Sequence, residues 1–174
     1  MDLGGRIFEL IDMRSFSNLW YWIVLAAMWS SLSHFVLGVP YDMVGRARKH
    51  AGQEMDDLNA LVHIKARRML MVYDRAGTWI VAGLSFTLSM LLFLGFWFGL
   101  EFAQAVFLLM APAMIVTFLR MQFAGRIIDN TIQGTALCDA ITRNRFYTQL
   151  IGMISVFVTS LWGMYQNLSL GVFG

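Results

Sequence analysis

Charge is what this sequence has least of. Asp, Glu, Lys and Arg make up 14% of its 174 residues, against about 25% in soluble domains. Four stretches carry none: Phe16 to Gly38, Gly77 to Leu100, Phe102 to Leu119 and Tyr147 to Leu168. About 20 apolar residues in a helix, rising about 1.5 Å each, cross a hydrocarbon core of about 30 Å. The four stretches therefore predict four transmembrane helices and exclude an ordinary soluble domain. Cysteine is nearly absent too. Cys138 stands alone, which excludes an internal disulfide and any CxxC zinc or cluster site. The net charge of +2 is too small to point to nucleic acid, and no basic, aromatic-interleaved patch accompanies it. Before its first apolar run the N-terminus holds Arg6 and Arg14, but Asp2, Glu9 and Asp12 offset them, so the basic region of a cleaved signal peptide is lacking. That run is expected to stay as an anchor.

What is present fits a membrane. Hydrophobic residues make up 58% of the chain and its mean hydropathy is +0.61. The economical reading is an all-α, polytopic protein with a single membrane domain over residues 1–174. Its spans are expected at about 16–38, 77–98, 102–119 and 147–168, joined by basic loops at 40–76 and 120–146.

Basic residues set the orientation. Arg46, Arg48, Lys49, Lys65, Arg67, Arg68 and Arg75 lie in the first loop, and Arg120, Arg126, Arg143 and Arg145 in the second. The turn at Glu101 and the tail after Asn167 hold no Lys or Arg. Cytoplasmic loops retain positive charge because its translocation costs several kcal/mol. Both basic loops are thus predicted to face the cytoplasm of a bacterial inner membrane, with the termini periplasmic. Trp20, Tyr21, Trp22, Trp97, Trp162 and Tyr165 then fall at the outer face, where aromatic belts form.

The segments between spans carry their own periodicity. Ile7, Leu10, Ile11 and Arg14 share helical spacing, predicting a short N-terminal amphipathic helix on the outer surface. Ser15 or Ser17 is placed to cap the span that follows, and Gly38 with Pro40 to end it. Leu58, Leu61, Val62, Lys65, Met69 and Val72 recur at helical spacing, so the first basic loop is read as a helix running into the second span. Asn130, Gly134 and Thr135 mark the least regular part of the second loop.

Few residues offer chemistry. His34, beside Ser30 and Ser31, is a candidate intramembrane polar site, because hydrocarbon does not tolerate an unpartnered titratable group. It either packs as a neutral ring bonded to a serine or neighbouring helix, serves a proton or ligand, or reaches cytoplasmic solvent. Glu101, followed by Gln104, is expected to be solvated in the outer turn. Pro112 deprives the Leu108 carbonyl of its usual partner, as bundles often tolerate. His50, Glu54 and Asp57 would share one face of a continuous helix, a weak metal-binding pattern that any charged helix produces. No metal or other cofactor is implied. Arg46, Arg48 and Lys49 are expected to contact anionic lipid headgroups, at about 1 kcal/mol per basic residue.

Small residues supply a packing signal. Thr148, Gly152, Ser155, Thr159, Gly163 and Gln166 share one face of the fourth span. Gly83, Thr87, Gly95 and Gly99 make a looser line in the second. Helices in lipid associate through such close backbone approach, so Gly152, Ser155, Thr159 and Gly163 are read as a helix-packing face.

The run Ile11-Asp12-Met13-Arg14-Ser15-Phe16-Ser17-Asn18-Leu19-Trp20 resembles a family of small integral membrane proteins of alphaproteobacteria (the Rhodobacter and Roseobacter group). Gly38-Val39-Pro40-Tyr41-Asp42-Met43-Val44, Glu101-Phe102-Ala103-Gln104-Ala105-Val106-Phe107 and Gln149-Leu150-Ile151-Gly152-Met153 resemble it as well. Members are often labelled a component of the SufBCD complex, which assembles iron–sulfur clusters. The resemblance implies no catalytic residues. Cluster ligation calls mainly for several thiolates, and Cys138 is the sole one, so the label implies a membrane docking partner and not a cluster scaffold.

The resulting expectation is a non-enzymatic accessory or scaffold protein, a four-helix bundle in lipid that docks a protein partner or a second copy of itself. The alternative is a small oligomeric channel or transporter with His34 and the Pro112 helix along its path. A membrane enzyme ranks third, for want of a nucleophile–base or metal set.

Overall fold

A computed structural model describes residues 15–17, 19–50 and 52–171. The predicted N-terminal amphipathic helix, with Arg6 and Arg14, lies outside these residues. Among them the order is a 3₁₀ turn (Ser15–Ser17), α1 (Leu19–His34), a two-stranded hairpin (β1, Phe35–Val36; β2, Val39–Pro40), α2 (Tyr41–Lys49), α3 (Gln53–Leu92), α4 (Glu101–Asp129) and α5 (Gly134–Gly171). A π-helical turn, Phe93–Trp97, ends α3.

Among the described residues three helices are long and apolar enough to cross a membrane: α3 with its π turn, α4 and α5. Their lengths exceed any bilayer's need. The 40 residues of α3 extend about 60 Å, twice the hydrocarbon thickness. No break separates its charged N-terminal half from its apolar half, and it passes through Gly77 without interruption. Likewise α4 continues past Arg120 to Asp129, running through Pro112. The two segments expected as basic loops are therefore mostly the projecting ends of the spans. Only residues 130–133 separate α4 from α5.

The first apolar stretch differs from expectation. Helix α1 has 16 residues, about 24 Å, and the rest of the stretch is taken by the 3₁₀ turn and the hairpin. Phe35 pairs with Pro40 and Val36 with Val39. Leu37 (φ 53°) and Gly38 (φ 73°) form the turn, and positive φ at both central positions matches the twist of a two-residue hairpin. Left-handed backbone at Leu37 costs about 1–2 kcal/mol. Burial of its side chain, 8% exposed, returns about 1.5–3 kcal/mol, so the turn holds. Val36, Leu37 and Val39 thereby leave the bilayer direction and enter a core.

That core sits at the basic end. Val44 and Ala47 of α2, Leu58, Val62 and Ala66 of α3, Phe123 and Ile127 of α4, and Leu137 and Ile141 of α5 bury one another there, together with the hairpin. Cys138 is fully buried among them. A thiol so placed is shielded from reagents on either side, so it makes a poor reporter of which side the second basic segment faces. A smaller cluster of Phe16, Tyr21, Leu25, Trp29, Ala105 and Val116 joins α1 to α4 along the shaft. We call the two regions the basic head and the apolar shaft.

Candidate functional site

The head and shaft meet where α1 ends. A helix leaves its last carbonyls without intrahelical partners, and here two arginines supply them. Arg120 of α4 donates from Nη2 to the carbonyls of Leu32 (2.6 Å) and Phe35 (2.9 Å). Arg145 of α5 donates from Nε to the Ser33 carbonyl at 3.1 Å, and its guanidinium lies 3.9 Å from the centroid of the Tyr41 ring. Cations at the negative end of α1 also complement its dipole. The two guanidinium groups thus tie α1, the hairpin and α2 to α4 and α5. The sequence marks both as loop cations; the available signal is that each lies within two residues of an apolar run.

His34 sits at this junction but faces outward. It is exposed, with its ring edge-on to Phe35 at 4.9 Å. Ser30 and Ser31 are exposed as well. Ser30 borders a groove of about 800 Å³ between α1 and α5, along with Trp29, Ser33, Gly152, Val156 and Ser160. His34 is not among the residues that border this groove.

The small-residue face of α5 packs inward. Thr148, Gly152, Ser155, Thr159 and Gly163 are buried. A Cβ added at Gly152 would stand 2.8 Å from Cε3 of Trp29, and one at Gly163 would stand 3.3 Å from Cβ of Phe16. Both glycines therefore admit aromatic rings from α1 and the 3₁₀ turn. Polar atoms are enclosed with them. Tyr21 and Thr159 are neighbours, yet neither hydroxyl closes a hydrogen bond of good geometry, nor do Ser155 Oγ and Trp29 Nε1. Along α3 the looser line divides, since Gly83 meets nothing within 4 Å and Gly95 abuts Gln104.

At the opposite end of the shaft a neutral network surrounds Gln104, which is 3% exposed. Its Nε2 donates to the Gly95 carbonyl in the π turn (2.8 Å), while its Oε1 accepts from Trp162 Nε1 (3.0 Å) and Gln166 Nε2 (2.5 Å). A π turn displaces carbonyls from the regular ladder, and Gln104 satisfies one of them. Gly95 is required there: a Cβ would lie 2.9 Å from the Gln104 backbone nitrogen. Glu101 accepts the Phe16 N–H at 2.8 Å, so it anchors the 3₁₀ turn ahead of α1 and does more than meet solvent. The contacts of Gln104 fasten α3, α4 and α5 together.

The head carries the polar surface. Arg46 pairs with Asp42 at 3.6 Å, and Arg48 with Asp139, linking α2 to α5; Lys49 is exposed. His50 closes α2 while Glu54 and Asp57 belong to α3, so the three do not share a helix face. Among the described residues no group of three or more His, Cys, Asp or Glu is placed to hold a metal ion. A cleft of about 530 Å³ opens between α3 and the end of α4, bordered by Asp56, Asn59, His63, Arg67, Ile128 and Gln133. His63 Nδ1 is 2.8 Å from the Asn59 carbonyl, and the Asn59 side chain accepts the Gly134 N–H at 3.0 Å. His63 Nε2 is enclosed without a hydrogen-bond partner. Helical periodicity from Leu58 to Val72 does not by itself single out His63 or Asn59.

No family model, no curated protein and no solved structure matches this chain.

Proposed function

We propose that this protein is a non-enzymatic accessory or scaffold protein of a bacterial inner membrane, which holds a partner at the cytoplasmic face through its basic head. One observation carries the reading. Uninterrupted helices join the apolar shaft to a separately packed head, and that head presents a polar cleft whose rim carries the exposed Asp56 and Arg67.

Retention of basic residues on the cytoplasmic side supports the orientation. Apart from Arg6 and Arg14, every Lys and Arg lies in the two segments that build the head or its junction with the shaft. With the 3₁₀ turn ahead of it and the hairpin behind, α1 serves as a fourth crossing whose about 24 Å falls a little short of the core thickness. The family that the sequence resembles suggests the partner: the iron–sulfur assembly machinery, brought to the membrane by docking.

The test is recovery of a stoichiometric partner from the tagged chain in mild detergent, with Asp56→Arg/Arg67→Glu as the cleft variant. The expected result is loss of that partner while the variant still purifies as a folded protein. Equal recovery would remove the cleft from the docking surface. An ion flux in proteoliposomes that His34→Ala alters would replace the scaffold reading with the channel. Orientation is checked by Thr135→Cys in a Cys138→Ser background, since Thr135 is exposed. An impermeant maleimide should label it in inverted vesicles and spare it in spheroplasts.

A further inference from the structure

A second groove, of about 740 Å³, runs along the flank formed by α3 and α4. Its floor is apolar: Val72, Ile80 and Leu84 of α3 face Met114 and Phe118 of α4. At the basic end it finishes at two cations, Lys65 and Arg68. They are three residues apart and so lie one above the other on α3. Arg46 and Arg48 have carboxylate partners, whereas Lys65 and Arg68 enter no ion pair among the described residues.

The dimensions suit one class of molecule. From Arg68 to Leu84 the helix advances about 24 Å, close to the about 20–22 Å of one leaflet with its headgroups. The walls are open to the bilayer: Val72 is 51% and Phe118 60% exposed. Methionine side chains, flexible and polarisable, suit an irregular hydrocarbon surface. Cations alone would accept any anion, and an apolar flank alone would accept any lipid tail. Their continuity in a single groove selects a molecule that is anionic at one end and hydrocarbon along the rest.

We propose that the α3–α4 groove binds one anionic phospholipid, its phosphate held by Lys65 and Arg68 and an acyl chain lying along Val72, Ile80, Met114 and Phe118. The site is distinct from the Arg46, Arg48, Lys49 patch on α2. It is also independent of whether the head docks a protein.

Native mass spectrometry of the detergent-solubilised full chain tests this, using phosphatidylglycerol and phosphatidylcholine with identical acyl chains. Wild type should retain one phosphatidylglycerol in clear preference to phosphatidylcholine. Lys65→Gln/Arg68→Gln should bind it about 30-fold more weakly, the loss expected for two basic residues near a headgroup. Arg126→Gln/Arg143→Gln removes the same charge at exposed positions away from the groove and from the α2 patch, and should keep the preference. Thr117→Trp, at an exposed position bordering the groove, should weaken both lipids while leaving the charges in place. Circular dichroism of each variant verifies the fold. Equal retention of the two lipids by wild type would overturn the proposal, as would equal losses in the two charge variants. Competition by glycerol phosphate as effective as by the whole lipid would overturn the acyl-chain half of it.

Discussion

In the basic head Leu58, Val62 and Ile127 are at most 1% exposed, whereas only 6% of the most apolar 18-residue part of α3 is buried within the chain. The same helices run through both regions, so the difference lies in the solvent. Water drives the head together, and its core consists of side chains whose burial is favourable by about 25 cal/mol per Å². Lipid offers the shaft no such force, because hydrocarbon is as apolar as leucine. The shaft relies on close approach and polar contacts instead. Gly152 admits Trp29, Gly163 admits Phe16, and Gln104 collects the Gly95 carbonyl, Trp162 and Gln166. Sparse burial in the shaft and dense burial in the head are two outcomes of one rule.

Removing methyl groups from the head should have the largest effect. Ile127→Ala opens a cavity in the fully buried centre of the head core and should cost about 2–5 kcal/mol. Thermal unfolding in detergent, followed by circular dichroism, measures it. A loss no larger than that of an exposed control such as Ile115→Ala would mean that the head is not a separately packed unit.

Adding bulk should be most damaging in the shaft. Gly152→Leu pushes against the Trp29 ring and should cost about 1–3 kcal/mol by overpacking, while Val156→Leu, at a position 36% exposed, should be mild. The two variants need only a thermal-stability comparison in the same detergent. Similar tolerance at both positions would show that α1 does not rest closely on α5.

The smallest effect is expected at Gln104. Gln104→Leu keeps most of the side-chain volume but strands the Gly95 carbonyl and the Trp162 indole N–H. Polar contacts between membrane helices average about 0.6 kcal/mol, with about 1.7 at most, so the loss should fall within that range. If a Gln104→Leu variant proved as damaged as Ile127→Ala, polar contacts and not close approach would dominate the shaft.

Much of this arrangement was legible beforehand. The charge-free runs marked three of the long helices, and the Leu58 to Val72 periodicity marked the helix that continues into the span from Gly77. The stripe from Thr148 to Gly163 marked a face of α5, although the sequence did not say what it faces. Other features depended on contacts between distant residues. Arg120 and Arg145 look like loop cations until α1 ends beside them, 85 or more residues away in sequence. The apolar Val36 and Leu37 read as part of a span, and nothing local reveals that a left-handed turn sends them into the head. His63 looked like any polar residue on a charged helix until α4 and the start of α5 enclosed its ring. For Cys138, too, sequence position gave a location but not its burial.

By itself the sequence determined that the chain is helical and belongs in a membrane, because length and apolarity act through local backbone hydrogen bonding and through solvent, without regard to neighbours. It also determined which end is basic. The tertiary structure alone decided that α1 stops at His34, that two guanidinium groups close it, and that Lys65 and Arg68 meet an apolar groove from another helix. Each of these depends on groups far apart in the chain arriving at one place, and no local pattern encodes that arrival.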